Sequence, residues 1–210
     1  MDFRLVYAGA LLKAQGSGGG KTRPWEKHQI RLHFHNQLKN LWATHPLLMF
    51  YNQPSHFDGA RGFAGRVVLH NLHRTTVESL AERYEGYVPL VNGEHGMYCD
   101  LDVLFLRAEP VGGLLKHNAG GGDIDNRIKV LFDALRIPQR GQLRPRPTDE
   151  PDPSPIFVLL SDDSLITSVR VTTDRLLTTE KSDDPAEACL ILHVHVKSID
   201  PLAAPYGVSV

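Results

Sequence analysis

Two groups of acidic residues offer the clearest chemistry in this sequence. Asp123 and Asp125 stand two positions apart, immediately after three glycines, and Asp162 and Asp163 are adjacent further along the chain. Carboxylate oxygens are the donors that Mg²⁺ and Mn²⁺ prefer, and such ions promote phosphodiester chemistry by activating water and neutralising charge in the transition state. Neither group contains a histidine, which favours these ions over Zn²⁺. The residue types therefore predict a site for Mg²⁺ or Mn²⁺.

A helix is predicted to position the first acidic group. Residues spaced at helical intervals predict a helix over about 126–136, and its apolar stripe consists of Ile124, Ile128, Leu131, Phe132 and Leu135. Asp125 or Asn126 suits the N-cap, and Asp123 is expected in extended chain before it, with both carboxylates on the same side. Lys129 follows Asp125 by one turn, so we expect its ammonium group beside the same carboxylates. The positive end of the helix dipole favours acids at this position.

The second acidic group lies between two runs that are rich in β-forming residues, 156–160 and 165–171. This pattern predicts a hairpin or a strand edge with the carboxylates at its bend. Simpler roles stay open for the acids, because aspartates often cap helices or form turns. Asp133, four residues after Lys129, suits a surface ion pair better than a site. A lysine between two acidic groups favours the metal site over these simpler roles.

The order and spacing of these residues resemble a known family. Residues 123–135 read Asp-Ile-Asp-Asn-Arg-Ile-Lys-Val-Leu-Phe-Asp-Ala-Leu, and 161–166 read Ser-Asp-Asp-Ser-Leu-Ile. They resemble the RusA-type Holliday-junction endodeoxyribonucleases, whose pattern is D-x-D-N-x-x-K-x-x-x-D-A-L followed by D-D-x-x-[VI]. The resemblance covers roughly residues 98–197.

The resemblance implies both a fold and an activity. It implies an α+β domain, with a mixed sheet and packed helices, that forms a homodimer and cuts Holliday junctions or other branched DNA with Mg²⁺ or Mn²⁺. By this resemblance Asp123, Asp125 and Asp163 are metal-binding acids, Asp162 is an adjacent supporting acid in the metal set, and Lys129 is the catalytic lysine. The three acids and the lysine together form the expected catalytic group.

The charge balance keeps a second function open. The chain has 23 Lys and Arg against 24 Asp and Glu, whereas DNA-binding proteins usually carry a basic excess because phosphate contacts dominate their affinity. A non-catalytic DNA-binding or assembly protein that retains the domain is therefore the alternative, and an enzyme acting on nucleotide-linked substrates is a third possibility. Basic side chains for DNA are expected within 13–40. The glycine-rich stretch 15–22 lacks the first glycine of a phosphate-binding P-loop.

The domain organisation is predicted in three parts. Residues 1–97 form an N-terminal elaboration packed on the same core, 98–197 form the RusA-like core, and 198–210 form a tail.

The chain has no apolar run long enough to span a membrane and only two cysteines, Cys99 and Cys189. We expect buried thiols and a cytoplasmic location, without a membrane partner.

Hydrophobic patterns predict the remaining elements. Strands are expected at 3–12, 67–69, 87–91, 98–106 and 190–196, helices after Pro24 and near Thr75, and loops at 45–65 and 140–155. His193 and His195 alternate with apolar residues in the last strand. That position puts both rings on one side of a half-exposed sheet, and we interpret them as structural.

Overall fold

A computed structural model describes residues 1–11, 23–52, 75–107, 124–139, 151–177 and 187–199. Within them the chain forms six strands and four helices, in the order β1 (Asp2–Ala10), α1 (Arg23–Thr44), α2 (Pro46–Tyr51), α3 (Thr76–Arg83), β2 (Tyr87–Val91), β3 (Met97–Arg107), α4 (Ile124–Leu135), β4 (Ile156–Leu160), β5 (Ile166–Arg175) and β6 (Glu187–Ser198). Two short 3₁₀ helices, Gly93–His95 and Asp163–Leu165, precede β3 and β5.

The larger sheet is mixed and has the strand order β1-β6-β3-β5. β6 pairs antiparallel with both β1 and β3, and β3 pairs parallel with β5. Parallel strands need a crossover connection, and α4 lies in the connection between β3 and β5. The predicted α+β class with a mixed sheet and packed helices is confirmed.

The sheet buries one of its faces. Along β3 the side chains alternate between buried and half-exposed from Met97 to Arg107, and β6 alternates in the same way from Ala188 to Ser198. Since successive strand residues point to opposite faces, one face carries the apolar residues. They share a core with buried residues of α1 and α4. The opposite, half-exposed face carries polar side chains at one end and apolar ones at the other. The polar side chains are Asp100, Asp102, His193, His195 and Lys197, and the apolar ones include Leu104, Leu106 and Ile191.

β2 and β4 form a separate two-stranded parallel sheet in which every residue is buried. Continuous apolar runs are typical of strands covered on both faces. The predicted hairpin between 156–160 and 165–171 is therefore wrong, because β4 pairs with β2 while β5 pairs with β3. The short connection between the two runs does not make them a hairpin, because each run pairs with a different strand in the folded chain.

The helices follow their apolar spacing. α1, the helix predicted after Pro24, buries Ile30, Phe34, Leu38 and Trp42 along one face, and Leu41 packs partly buried against the same core. α3 begins with a capping box in which Thr75 and Glu78 each accept a hydrogen bond from the other's backbone N–H. The expected loop at 45–65 is wrong in part, because α2 occupies 46–51 and buries Leu48 against the core.

The larger sheet extends across the predicted boundary at 97/98, because β1 and β3 both pair with β6. The division itself stays a prediction. The predicted strand at 67–69, residues 13–22 of the expected basic stretch and residues 200–210 lie outside the described residues.

Cys99 and Cys189 are free thiols. Cys99 is buried as predicted, and burial raises its pKa to about 12, whereas Cys189 is partly exposed. Among the described helices, each is too short or too polar to cross a membrane.

Asp133 connects α1 to α4. Its carboxylate binds Lys27 and Arg136, while Lys129 binds Asp125 instead, so the predicted pairing of Asp133 with Lys129 is wrong. Arg31 donates to the backbone oxygens of Asp133 and Arg136, where the last carbonyls of α4 lack helical partners. Part of the basic stretch at 13–40 is therefore engaged with α4 and not presented to DNA.

We expect Asp133→Asn to lower the free energy of unfolding by about 2–3 kcal/mol, because it leaves half-buried cationic groups without their counter-charge. Burial acts to raise the pKa of Asp133, but hydrogen bonds and charges from Lys27 and Arg136 outweigh it and lower that pKa below 3.8. A depressed carboxyl pKa stabilises the fold above the unfolded-state pKa, and this contribution is lost as the pH falls through the folded-state value.

Urea unfolding at several pH values checks this prediction. The difference between Asp133→Asn and the unaltered protein is expected in full at pH 7. It should shrink as the pH falls below the unfolded-state pKa of the carboxyl group and should disappear only below the lower folded-state pKa. Asp125→Asn is the matched control, because it removes an exposed carboxylate on the same helix. An equal loss in both variants would contradict the role of the buried network.

Candidate functional site

Asp125 lies in the first turn of α4. The helix begins two residues earlier than predicted, so neither Asp125 nor Asn126 is the N-cap. Ile128, Leu131 and Leu135 are buried as their spacing predicts. Asp123 lies outside the described residues, and its place in the metal set stays a prediction.

The structure brings Lys129 and Asp125 together. The Lys129 Nζ atom donates to a carboxylate oxygen of Asp125 at 3.0 Å, and both side chains are more than half exposed. An exposed pair of this kind stabilises a helix by only about 0.3–0.5 kcal/mol. Its main consequence is local: an anion and a cation stand open to solvent at the positive end of a helix.

Arg127 fixes the start of α4 against the end of β1. Its guanidinium is almost fully buried and donates to the backbone oxygen of Leu11 at 2.8 Å. β3 and β5 end at the same edge of the sheet, where the Leu176 N–H donates to the Arg107 oxygen. The acidic start of α4 is thus held by a buried contact at the edge where β1, β3 and β5 end.

The second acidic group lies near the other end of α4. The residue after β4, Ser161, donates to Val91, and Asp162 and Asp163 follow before β5 begins. Asp163 approaches Arg136 at 3.7 Å, just past the last residue of α4. A helix C-terminus carries partial negative charge, and the Arg136 guanidinium is a cation that offsets this charge beside Asp163.

Asp162 caps the 3₁₀ helix that precedes β5. Its side chain accepts a hydrogen bond from the Ser164 backbone N–H at 2.9 Å. Hydrogen bonds from the side chain and the backbone of Ser164 lower the pKa of Asp162, with a smaller contribution from the charge of Arg136. This is the turn-forming role that adjacent acids often have.

A single chain does not gather the described acids around one ion. Asp125 and Arg136 are eleven residues apart, which is about 16 Å along a helix axis, and Asp163 lies beside Arg136. Among the described residues, Asp125, Asp162 and Asp163 form no group with oxygens within 4.8 Å of one another. The parallel crossover explains this, because a helix that returns along β3 begins where β3 ends and finishes where β5 begins.

The structure brings His193 and His195, whose strand pattern indicates a structural role, together with an aspartate. Asp2, His193 and His195 each offer a ligand atom, and these atoms lie within 4.8 Å of one another on the half-exposed face of the sheet. The His-x-His spacing was visible in the sequence. Asp2 was not associated with it, because the antiparallel pairing of β1 with β6 joins residues from the two ends of the chain.

Comparisons with known proteins identify no family for this chain. We found no matching protein-family model, no matching curated protein and no matching solved structure. The resemblance to RusA-type endonucleases therefore rests on the residues that carry it.

Proposed function

We propose that this protein is a Mg²⁺- or Mn²⁺-dependent endonuclease of the RusA type that cuts branched DNA. The observation that carries the proposal is the ordered acidic motif, in which Lys129 lies 3.0 Å from Asp125 at the exposed start of α4. Both groups are open to solvent, so a DNA backbone has access to them. A buried pair with the same spacing would support only a structural role.

The described residues provide part of a ligand set for a hard divalent cation. Asp125 provides exposed carboxylate oxygens, the donor type that Mg²⁺ prefers. Asp123 and Asp125 would hold the ion, which when bound lowers the pKa of water and neutralises phosphate charge. Lys129 would place its ammonium group against the phosphate oxygen that gains negative charge in the transition state. The positive helix end at Asp125 adds to that stabilisation.

A homodimer resolves the separation of the two acidic groups. Since one chain holds Asp163 near the far end of α4, we infer that Asp163 of a second copy completes the site that begins at Asp125. A two-fold axis then produces two equivalent sites, one for each of two symmetry-related strands of a four-way junction. The activity requires the dimer in this arrangement.

The distance between Asp125 and Asp163 within one chain also supports the alternative, non-catalytic function. If no second copy completes the site, the acids cap and pair within their own elements, as Asp162 does with Ser164. The protein would then be a non-catalytic DNA-binding or assembly protein. The near balance of charge, at a formal −1, is consistent with that function.

Cleavage of a panel of labelled DNA distinguishes these functions. We expect Mg²⁺-dependent cutting of four-way junctions and other branched DNA, with plain duplex of the same sequence left intact as the control. Binding to the branched DNA without cutting in either Mg²⁺ or Mn²⁺ would support the non-catalytic alternative. Equal cutting of branched and plain DNA would contradict the structure selectivity.

A further inference from the structure

A second candidate metal site lies on the half-exposed face of the larger sheet. β6 runs between β1 and β3, and His193 and His195 point to the same side because they are two positions apart. Asp2 on β1 is the direct cross-strand neighbour of His195. Directly opposed residues in a sheet have Cβ atoms about 5 Å apart, which suits short side chains that share a ligand.

The three side chains already converge. The Nδ1 atom of His195 lies 3.0 Å from a carboxylate oxygen of Asp2, and the rings of His193 and His195 have centroids 3.9 Å apart. In tetrahedral zinc sites the metal–ligand bonds are about 2.0–2.2 Å, so neighbouring ligand atoms stand about 3.3–3.5 Å apart. Ligand atoms within 4.8 Å reach this geometry through small side-chain rotations, because the face is partly open to solvent.

We propose that Asp2, His193 and His195 form a binding site for a divalent transition metal of the Zn²⁺ class. Two imidazoles and one carboxylate are a donor set that suits Zn²⁺ and is poor for Mg²⁺, which prefers oxygen ligands throughout. A water molecule completes four-coordination, since Asp2 is mostly exposed. This site is separate from the acidic start of α4 and does not depend on the proposed nuclease activity.

Asp102 orients His195 for this role. The Nε2 atom of His195 lies 3.5 Å from a carboxylate oxygen of Asp102 on β3. The Nδ1–H group of His195 donates to a carboxylate oxygen of Asp2 at 3.0 Å. A metal ion at Nδ1 would replace that proton, and the ring would then carry its proton at Nε2, which faces Asp102; carboxylates commonly position metal-binding histidines in this way. Arg170 approaches the other oxygen of Asp102 at 3.8 Å. Asp102 is therefore a positioning residue.

One nearby carboxylate on β3 already has other partners. Asp100, the direct neighbour of His195 on β3, is already engaged by Lys197 and Thr167. This engagement leaves Asp2 as the carboxylate that completes the group.

Zinc binding to the full chain tests the proposal. Protein freed of metal by chelation is titrated with Zn²⁺ in competition with a fluorescent chelator. We expect His193→Gln and His195→Gln each to lower the affinity of one ion per chain by at least about a hundred-fold, and Asp102→Asn to lower it by about ten-fold. His33→Gln is the matched control, because His33 is an exposed histidine on α1 that bonds to the Val6 oxygen.

Several outcomes would overturn the proposal. The site does not exist if the unaltered protein binds no Zn²⁺, or if His193→Gln and His195→Gln lose no more affinity than His33→Gln. Co²⁺ provides a second measurement, since its visible absorption reports nitrogen and oxygen ligands and should disappear in His195→Gln. Asp125→Asn is expected to retain Zn²⁺ binding, so failure of the nuclease proposal and failure of this one are distinguishable. Urea unfolding of the metal-free variants identifies any loss that comes from misfolding.

Discussion

The Asp125→Asn variant is expected to cut branched DNA about a thousand-fold more slowly than the unaltered protein. The substitution replaces a charged carboxylate by a neutral amide of the same shape, which removes a ligand for Mg²⁺ and the partner of Lys129. The fold should be unaffected, because an exposed ion pair contributes less than about 0.5 kcal/mol to stability. Binding to branched DNA should be retained, since it depends mainly on phosphate contacts.

The measurement is the single-turnover rate on a labelled four-way junction, together with a binding assay without divalent ions. Asp174→Asn is the matched control, because Asp174 is an exposed aspartate near the end of β5, at the same edge of the sheet. It removes one negative charge at this edge of the sheet without touching the motif. A cutting rate for Asp125→Asn that equals the rate of Asp174→Asn would contradict the proposed role of Asp125.

The second large effect is expected from dimers that carry different substitutions in their two chains. If the site is shared, a dimer with Asp125→Asn in one chain and Asp163→Asn in the other keeps one intact site of two. It should nick one strand of the junction at about half the rate of the unaltered dimer. Each variant alone should be inactive.

A reversed pairing controls this experiment. A dimer of one unaltered chain and one chain with both substitutions has no intact shared site, so we expect it to be inactive. Sites built within single chains predict the opposite, namely activity here and none in the first dimer. Two affinity tags on the two chains isolate each mixed dimer, and nicking of one labelled strand is the readout.

These two results also decide between the candidate functions. Activity that depends on Asp125 and on Asp163 of the other chain would establish an endonuclease whose site requires the dimer. Absence of cutting by the unaltered protein would favour the non-catalytic alternative. The zinc proposal stands apart from both results, because its ligands lie on β1 and β6 and not at α4.

Several features follow from the sequence alone, since local patterns specify them. The apolar spacing of α1 and α4 indicates which helix faces are buried, and alternation along β3 and β6 indicates which strand residues enter the core. The i,i+4 spacing of Asp125 and Lys129 predicts their contact. In each case the geometry of one element determines which side chains meet, so the sequence is sufficient.

Which elements pair is visible only in the folded chain. The runs that become β4 and β5 are separated by a short connection typical of a hairpin, yet each pairs in parallel with a different strand. The crossover through α4 then holds Asp163 beside Arg136, far along the helix from Asp125. Strand pairing joins residues distant in the chain, and no local pattern specifies the partner.

The two candidate sites show the same division. The sequence alone specifies the types and spacing of the acidic residues, of Lys129 and of the His193-x-His195 pair, and hence the chemistry that each is suited to. The tertiary structure separated the two acidic groups that the sequence had associated, and it brought Asp2 to His195 from the opposite end of the chain. The physical reason is that ligand chemistry belongs to the residue, whereas ligand distance depends on which strands share a sheet.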